Sequence, residues 1–398
     1  MKHRWSWHAK RARSARLGSA LAAALIVAAL LMVVSPPGAL AAEYRIGALI
    51  PITGPAAAYG KQQEAALNIA VEAINAKGGI NGVPVKLIIH DTSVKPDEAV
   101  TGARRLIATE KVLTIMGPFT SGQCEVVFPV INKAGIVSVT GSCASPGLGA
   151  KSRPFAFLNM QTSDVLYAPA TQAFVKRYKP KRMAVIYDSK ERLFNIDGTA
   201  IFPPILKKAG IEVVGSMPFL TGDLDFSAQV TKIKSLNPDG IVLVAWPPEG
   251  ANILRELRKQ GITAPVLGGI SLADRKFVEL AGAGVMEGSI ASTFFWTESP
   301  EPKAKAFTET FEKRYGKAPF FIAATIYDAF QITMKLIQDL GIKPGDDLAA
   351  SRKKLMEGWS KVKNYEGVMG LTTIGSDGAA QKEVFVLLAE GGKFKRLQ

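Results

Sequence analysis

The chain has 398 residues and a formal net charge of +15, with 49 Lys and Arg, 34 Asp and Glu, 3 His and 2 Cys. That length exceeds a comfortable single core, so two domains are expected. The cations are scattered among acids with no dense Lys/Arg stripe, which argues against nucleic-acid binding. Only His90 lies beyond the first 42 residues, so a multi-histidine metal site is excluded and a Ser-His-Asp triad would have to use His90.

The N-terminal segment reads as a secretory signal rather than as part of the fold. Lys2, Arg4, Lys10, Arg11, Arg13 and Arg16 form a basic head, Leu17–Val34 is an apolar run, and Ser35-Pro36-Pro37-Gly38 breaks it before Ala39-Leu40-Ala41-Ala42. Cleavage is expected near Ala41 or Ala42, leaving a mature charge of about +9. The alternative is an uncleaved anchor, since the run approaches the roughly 18 residues that span a bilayer. No cysteine follows the run, which argues against a lipid-anchored form.

From residue 43 onward apolar runs alternate with helical patterns. Strands are expected at Glu43–Pro51, Val83–His90, Val112–Met116, Ile136–Val139 and Phe155–Asn159, with helices at Tyr59–Ala76, Pro96–Glu110 and between the third and fourth strands. A helix at Asp164–Tyr178 opens a second series. It continues as strand Arg182–Tyr187, helix Phe194–Ala209, strand Ile211–Met217, helix Phe226–Ser235, strand Gly240–Ala245, helix Gly250–Gln260, strand Pro265–Leu267 and a short helix to Ala281. Gly288–Trp296 is read as the chain returning to the first lobe, followed by helices at Pro302–Tyr315, Phe320–Leu340 and Asp347–Trp359 and a last strand at Val384–Ala389. So many alternations imply α/β architecture in two similar lobes.

The stretch Val112–Leu148 holds two Gly-, Ser- and Thr-rich turns after parallel strands, hence at one sheet edge, where small ligands bind. Both cysteines, Cys124 and Cys143, lie within it; a disulfide and two separate buried thiols are both compatible with the sequence.

Several segments together resemble one family, the type I periplasmic solute-binding proteins of ABC transporters, leucine/isoleucine/valine-binding branch. They are I-G-A-L-I-P-I-T-G-P-A-A-A-Y-G, A-I-N-A-K-G-G-I-N-G, G-P-F-T-S, S-C-A-S-P-G-L, D-F-S-A-Q-V-T-K-I-K and Y-E-G-V-M-G-L-T. The resemblance implies two doubly wound parallel-sheet lobes joined by a three-strand hinge, with residues 1–41 as signal peptide, 42–160 and 291–365 as lobe 1, and 161–290 and 366–398 as lobe 2. It also implies a periplasmic protein, a monomer without cofactor, that passes a small-molecule ligand to the permease and ATPase subunits of an importer.

Site roles carry over by position. Ser121, beside Phe119, corresponds to the serine that holds the ligand carboxylate with nearby amides; a helix start suits that task, though Ser121 could also simply cap its helix. Ser142 corresponds to a backbone-carbonyl contact and Ala144 to a threonine whose hydroxyl is lost here. Tyr59 matches an aromatic of the pocket and Trp246 the aromatic of the second lobe, while Phe194 stands in for a tyrosine. The acid that pairs with the ligand ammonium falls on Ile270, and the nearest carboxyl is Asp274. An ammonium without counter-charge would lose several kcal/mol, so an aromatic or branched organic acid, or an amide, is expected in place of a free α-amino acid. A packing role for Phe119, Trp246 and Ile270 is the alternative.

An enzyme is disfavoured. No G-x-G-x-x-G or Walker loop follows the first strand, and Cys124 has no oriented histidine. A sensor of the same fold feeding a receptor is the other rival.

Overall fold

The computed structural model describes residues 42–397; the expected signal peptide lies outside the described residues. Five apolar segments form the first sheet, with helices between them. They are β1 (Tyr44–Ile50), α1 (Ala57–Asn75), β2 (Val85–Asp91), α2 (Pro96–Ala108), β3 (Thr114–Met116), α3 (Ser121–Ala134), β4 (Val137–Thr140), α4 (Leu148–Lys151) and β5 (Ala156–Leu158). All pairs are parallel, in the order β2-β1-β3-β4-β5. Because helices cover both faces, β1 and β3 are apolar apart from Arg45 and Thr114 and show no polar alternation. Gly60 is needed where α1 crosses the end of β1, since a Cβ there would lie 1.8 Å from the carbonyl oxygen of Pro51.

The second series comprises α5 (Ser163–Tyr178), β6 (Arg182–Asp188), α6 (Arg192–Ile196), α7 (Phe202–Lys208), β7 (Glu212–Phe219), α8 (Ser227–Leu236), β8 (Gly240–Val244), α9 (Pro247–Lys259), β9 (Val266–Gly268), α10 (Arg275–Ala281) and β10 (Ile290–Thr293). After it come α11 (Pro302–Tyr315), α12 (Phe321–Asp339), α13 (Leu348–Ser360), β11 (Tyr365–Gly367), β12 (Gly370–Ile374), β13 (Ala380–Gln381), β14 (Phe385–Glu390) and β15 (Lys393–Arg396). The second sheet runs β15-β14-β10-β9-β8-β6-β7, and only β14 and β15 enter it antiparallel.

Three expectations need correction. The helix expected over Phe194–Ala209 is interrupted by a π-turn at Asp197–Ile201. Pro203 and Pro204 have no N–H to give to the preceding turn, so a regular ladder cannot run through. Gly288–Trp296 does not return to the first lobe directly, because β10 pairs with β9 and β14 of the second sheet. Conversely, β11–β13 belong beside the first lobe, where Ala379 bridges Leu158 of β5 and Gly378 accepts the Leu158 amide at 2.9 Å. β10 thus stays with the second sheet past the expected boundary at 291, and β11–β13 stay beside the first past the one at 366.

Helices α11 and α12 lie against α1, and Arg314 of α11 grips Glu72 of α1 with both guanidinium nitrogens, at 2.5 and 2.6 Å. The chain thus crosses between lobes three times: after β5, after β10 and before β14. Ahead of the last crossing buried Asp328 accepts the amides of Val368 and Met369 at 2.8 and 3.0 Å, and the buried Lys382 ammonium at the crossing acts on it as an opposite charge.

Candidate ligand-binding site

A doubly wound sheet opens a crevice where its strand order reverses, outside the carboxyl ends of the strands. In the first sheet the reversal falls between β1 and β3, and in the second between β6 and β8. The turns after β3, β4, β6, β8 and β9 all converge on one cleft. The jaws nearly touch, and the cavity left between them is about 30 Å³.

The first jaw is built around the start of α3. Gly117 has φ +106° and a Cβ there would sit 2.4 Å from the carbonyl oxygen of Leu49, so only glycine turns the chain off β3 at this point. Thr120 then caps α3: its hydroxyl accepts from the Gln123 amide while Gln123 Oε1 accepts from the Thr120 amide. The cap is therefore Thr120 and not Ser121. Ser121 Oγ instead accepts the amides of Ala144 and Ser145 at 3.3 Å each, tying the first turn to the second, and keeps its own hydrogen to donate. Among the described residues no protein acceptor meets the amides of Ser121 and Gly122. They leave an anion seat at the positive end of the helix.

The two turns are also joined covalently by a buried disulfide between Cys124 and Cys143. Cys124 is thus no nucleophile. Ser142 Oγ donates to the carbonyl of Phe119 at 2.7 Å, a third link between the turns.

The second jaw is mostly apolar. Trp246 follows β8 and packs against Phe194 of α6 at a ring-centre distance of 4.7 Å. Across the cleft it meets Tyr59 at 5.1 Å and lies nearly parallel to Phe119, at 6.2 Å and 17°. Ile270 follows β9. Its amide donates to Tyr167 Oη, which in turn donates to buried Asp197 at 2.6 Å. Seven of the expected site residues, Tyr59, Phe119, Ser121, Ser142, Phe194, Trp246 and Ile270, line this cleft. Ala144 does not: it is fully buried, and its amide and carbonyl are engaged by Ser121 and Ser163.

A cleft of this construction can be compared with known proteins. Residues 43–393 match the family model described as periplasmic binding protein. The chain belongs to this family. A Leu/Ile/Val-binding protein of Rhizobium johnstonii is 29% identical over 354 residues, covering 88% of this chain and 93% of that protein. The branched-chain amino acid transporter substrate binding protein of Streptococcus pneumoniae, solved with isoleucine, is 26% identical with a TM-score of 0.79, covering 89% and 98% of the two chains. The fold is shared too with an ABC-transporter solute-binding protein of R. palustris solved with benzoate, 20% identical, TM-score 0.79, covering 89% and 95%. Such relatives bind solutes for transport, and this binding protein is likewise not an enzyme.

The binding protein's cleft also holds residues that its sequence did not announce. Glu191 caps α6, accepting the Leu193 amide at 3.3 Å, and lines the cleft beside Ser121. Burial, reinforced by Asp188 and Asp197, pushes its carboxyl up to about 7. The signal that could have found it is the strand-order reversal, which puts the turn after β6 at the crevice. Phe321 and Ile322 reach the wall from the start of α12.

Proposed function

We propose that this chain is the extracytoplasmic solute-binding component of an ABC importer. It is exported by its N-terminal signal, works in the periplasm as a monomer, and carries a small carboxylate with an aromatic or branched body to a membrane permease and its ATPase. The ligand's carboxylate rests on the amides of Ser121 and Gly122 and the Ser121 hydroxyl, and its body lies among Tyr59, Phe119, Phe194 and Trp246.

The observation that carries this reading is the pairing of an unspent helix-start anion seat with four aromatic rings, two from each lobe, and with Ile270 where an acid would meet an ammonium. An ammonium facing Ile270 meets no acid at that position, and Glu191, the carboxyl on the cleft wall, is pushed toward its neutral form by burial, so the ammonium is penalised by several kcal/mol; an apolar body gains from the same surface. Binding energy selects the closed form because the ligand touches both jaws.

A thermal-shift screen with benzoate, 4-methyl-2-oxopentanoate, benzamide and leucine tests this. A bound ligand at about 100 times its Kd adds roughly 2.7 kcal/mol to stability. Benzoate or the branched keto acid is expected to give the largest shift. Leucine giving it, with the organic acids inert, overturns the ligand assignment.

A further inference from the structure

Position 270 carries no acid, yet a second-lobe carboxyl does reach the cleft through another side chain. Asp274 precedes α10 and is 4% exposed, and its Oδ2 accepts from Tyr59 Oη at 3.2 Å. Tyr59 belongs to α1 of the first lobe and walls the ligand cleft. This hydrogen bond therefore joins the lobes at the ligand, and it exists only when they meet. Behind it, past Phe321, opens a larger recess with Asp274 on its wall. We infer that Asp274 is a positioning residue for closure, forming with Tyr59 a latch across the cleft that couples closing to uptake of a proton.

The physical case starts from desolvation. A carboxyl moved from water into a closed interface without a cation prefers its neutral form. Burial raises Asp274 to about 8, offset only in part by the Tyr59 hydroxyl and the Phe321 amide. The charged groups around it leave this intact. On its own element Arg275 pairs with Glu312 of α11 at 3.7 Å and Glu279 with Lys276 at 3.4 Å. Glu298 of the second crossing and Lys393 of the last hairpin stand on the far side of the recess, and Glu249 of α9 acts on Tyr59 as one more negative charge. The first turn of α12, Phe321–Ile326, carries no charge.

When the lobes part, Asp274 meets water and returns to the ordinary Asp value of about 3.9. Its raised value in the closed form means that closure binds a proton. Closure is fully favoured below about pH 4, loses ground as pH rises, and levels off above about 8. Glu191 behaves in the same direction, so a test has to separate the two. Asp197 sits inside the second lobe behind Tyr167 and does not open with the cleft.

The latch rests on the proposed reading only in that the lobes open and close. Two measurements test it. Small-angle scattering of the mature protein alone needs no ligand: the radius of gyration of Glu191→Gln is expected to grow between pH 5.5 and 8.5, and that of Glu191→Gln/Asp274→Asn to stay constant. Calorimetry in two buffers of different ionisation enthalpy counts protons on binding, with benzoate and leucine both run. Glu191→Gln is expected to take up about one proton at pH 6.5, with at least a tenfold loss of affinity from pH 5.5 to 7.5, and the double variant to take up close to none. Asp274→Ala removes the acceptor as well and weakens binding at every pH. Proton uptake and a pH-dependent radius that survive Asp274→Asn overturn the latch; leucine binding with benzoate inert overturns the ligand assignment and leaves the latch standing.

Discussion

The two jaws divide recognition between them. The first is polar and immobilised: a capped helix start with unspent amides, bound to the neighbouring turn by a disulfide, by Ser121 and by Ser142. The second offers Trp246, Phe194 and Ile270, with Glu191 at its edge, and keeps Asp197 and Tyr167 behind that face, where they hold the Ile270 amide. On the proposed reading, the linked turns of the first jaw meet the ligand's charge and the side chains of the second meet its shape on closure. On the proposed reading, a site built this way takes a ligand with one anionic end and leaves the remainder to packing.

Breaking the first jaw's covalent link gives the largest effect. Reduction of Cys124–Cys143, which closes a separation of 19 residues, is expected to remove about 3 kcal/mol of stability, read from urea unfolding with and without reductant. Next is Trp246→Ala. Loss of a central aromatic anchor should weaken benzoate binding by about 2 kcal/mol, roughly thirtyfold, and isobutyrate less. An equal loss for both acids would contradict a shape-reading second jaw. Ser121→Ala has the smallest effect, about 1.5 kcal/mol or roughly tenfold, and it should weaken all carboxylates alike, because a hydrogen bond to a charged group is lost whatever the body of the ligand. Discrimination between acids in that variant would show that the first jaw reads more than charge.

The strand and helix order was legible because parallel strands covered on both faces are largely apolar runs, several of them ended here by a Gly- or Pro-containing turn. The same property hid which sheet a strand joins. Ile290–Thr293 has no alternation to orient it, so its place beside β9 emerges only from the fold. Lys393–Arg396 was missed because it is a short, mostly charged edge strand, a composition that protects edges and mimics a loop. At the cleft, residues on turns next to strand ends were found from sequence. Glu191 lies in an irregular segment, and Phe321 arrives from a distant helix. Asp274 was visible as the nearest acid, but its bond to Tyr59 depends on two lobes meeting, which no local pattern encodes.

The three crossings between the lobes, the last set against the buried Asp328 and Lys382, carry a mechanical consequence. Strands running side by side between two rigid bodies resist sliding and twisting much more than bending, so the lobes have one soft motion, a swing about the hinge line. The outer faces of the two lobes then possess a single spacing when the cleft is shut and a wider one when it is not. A membrane partner that touches both faces can distinguish a loaded carrier from an empty one by that distance alone, without ever contacting the solute.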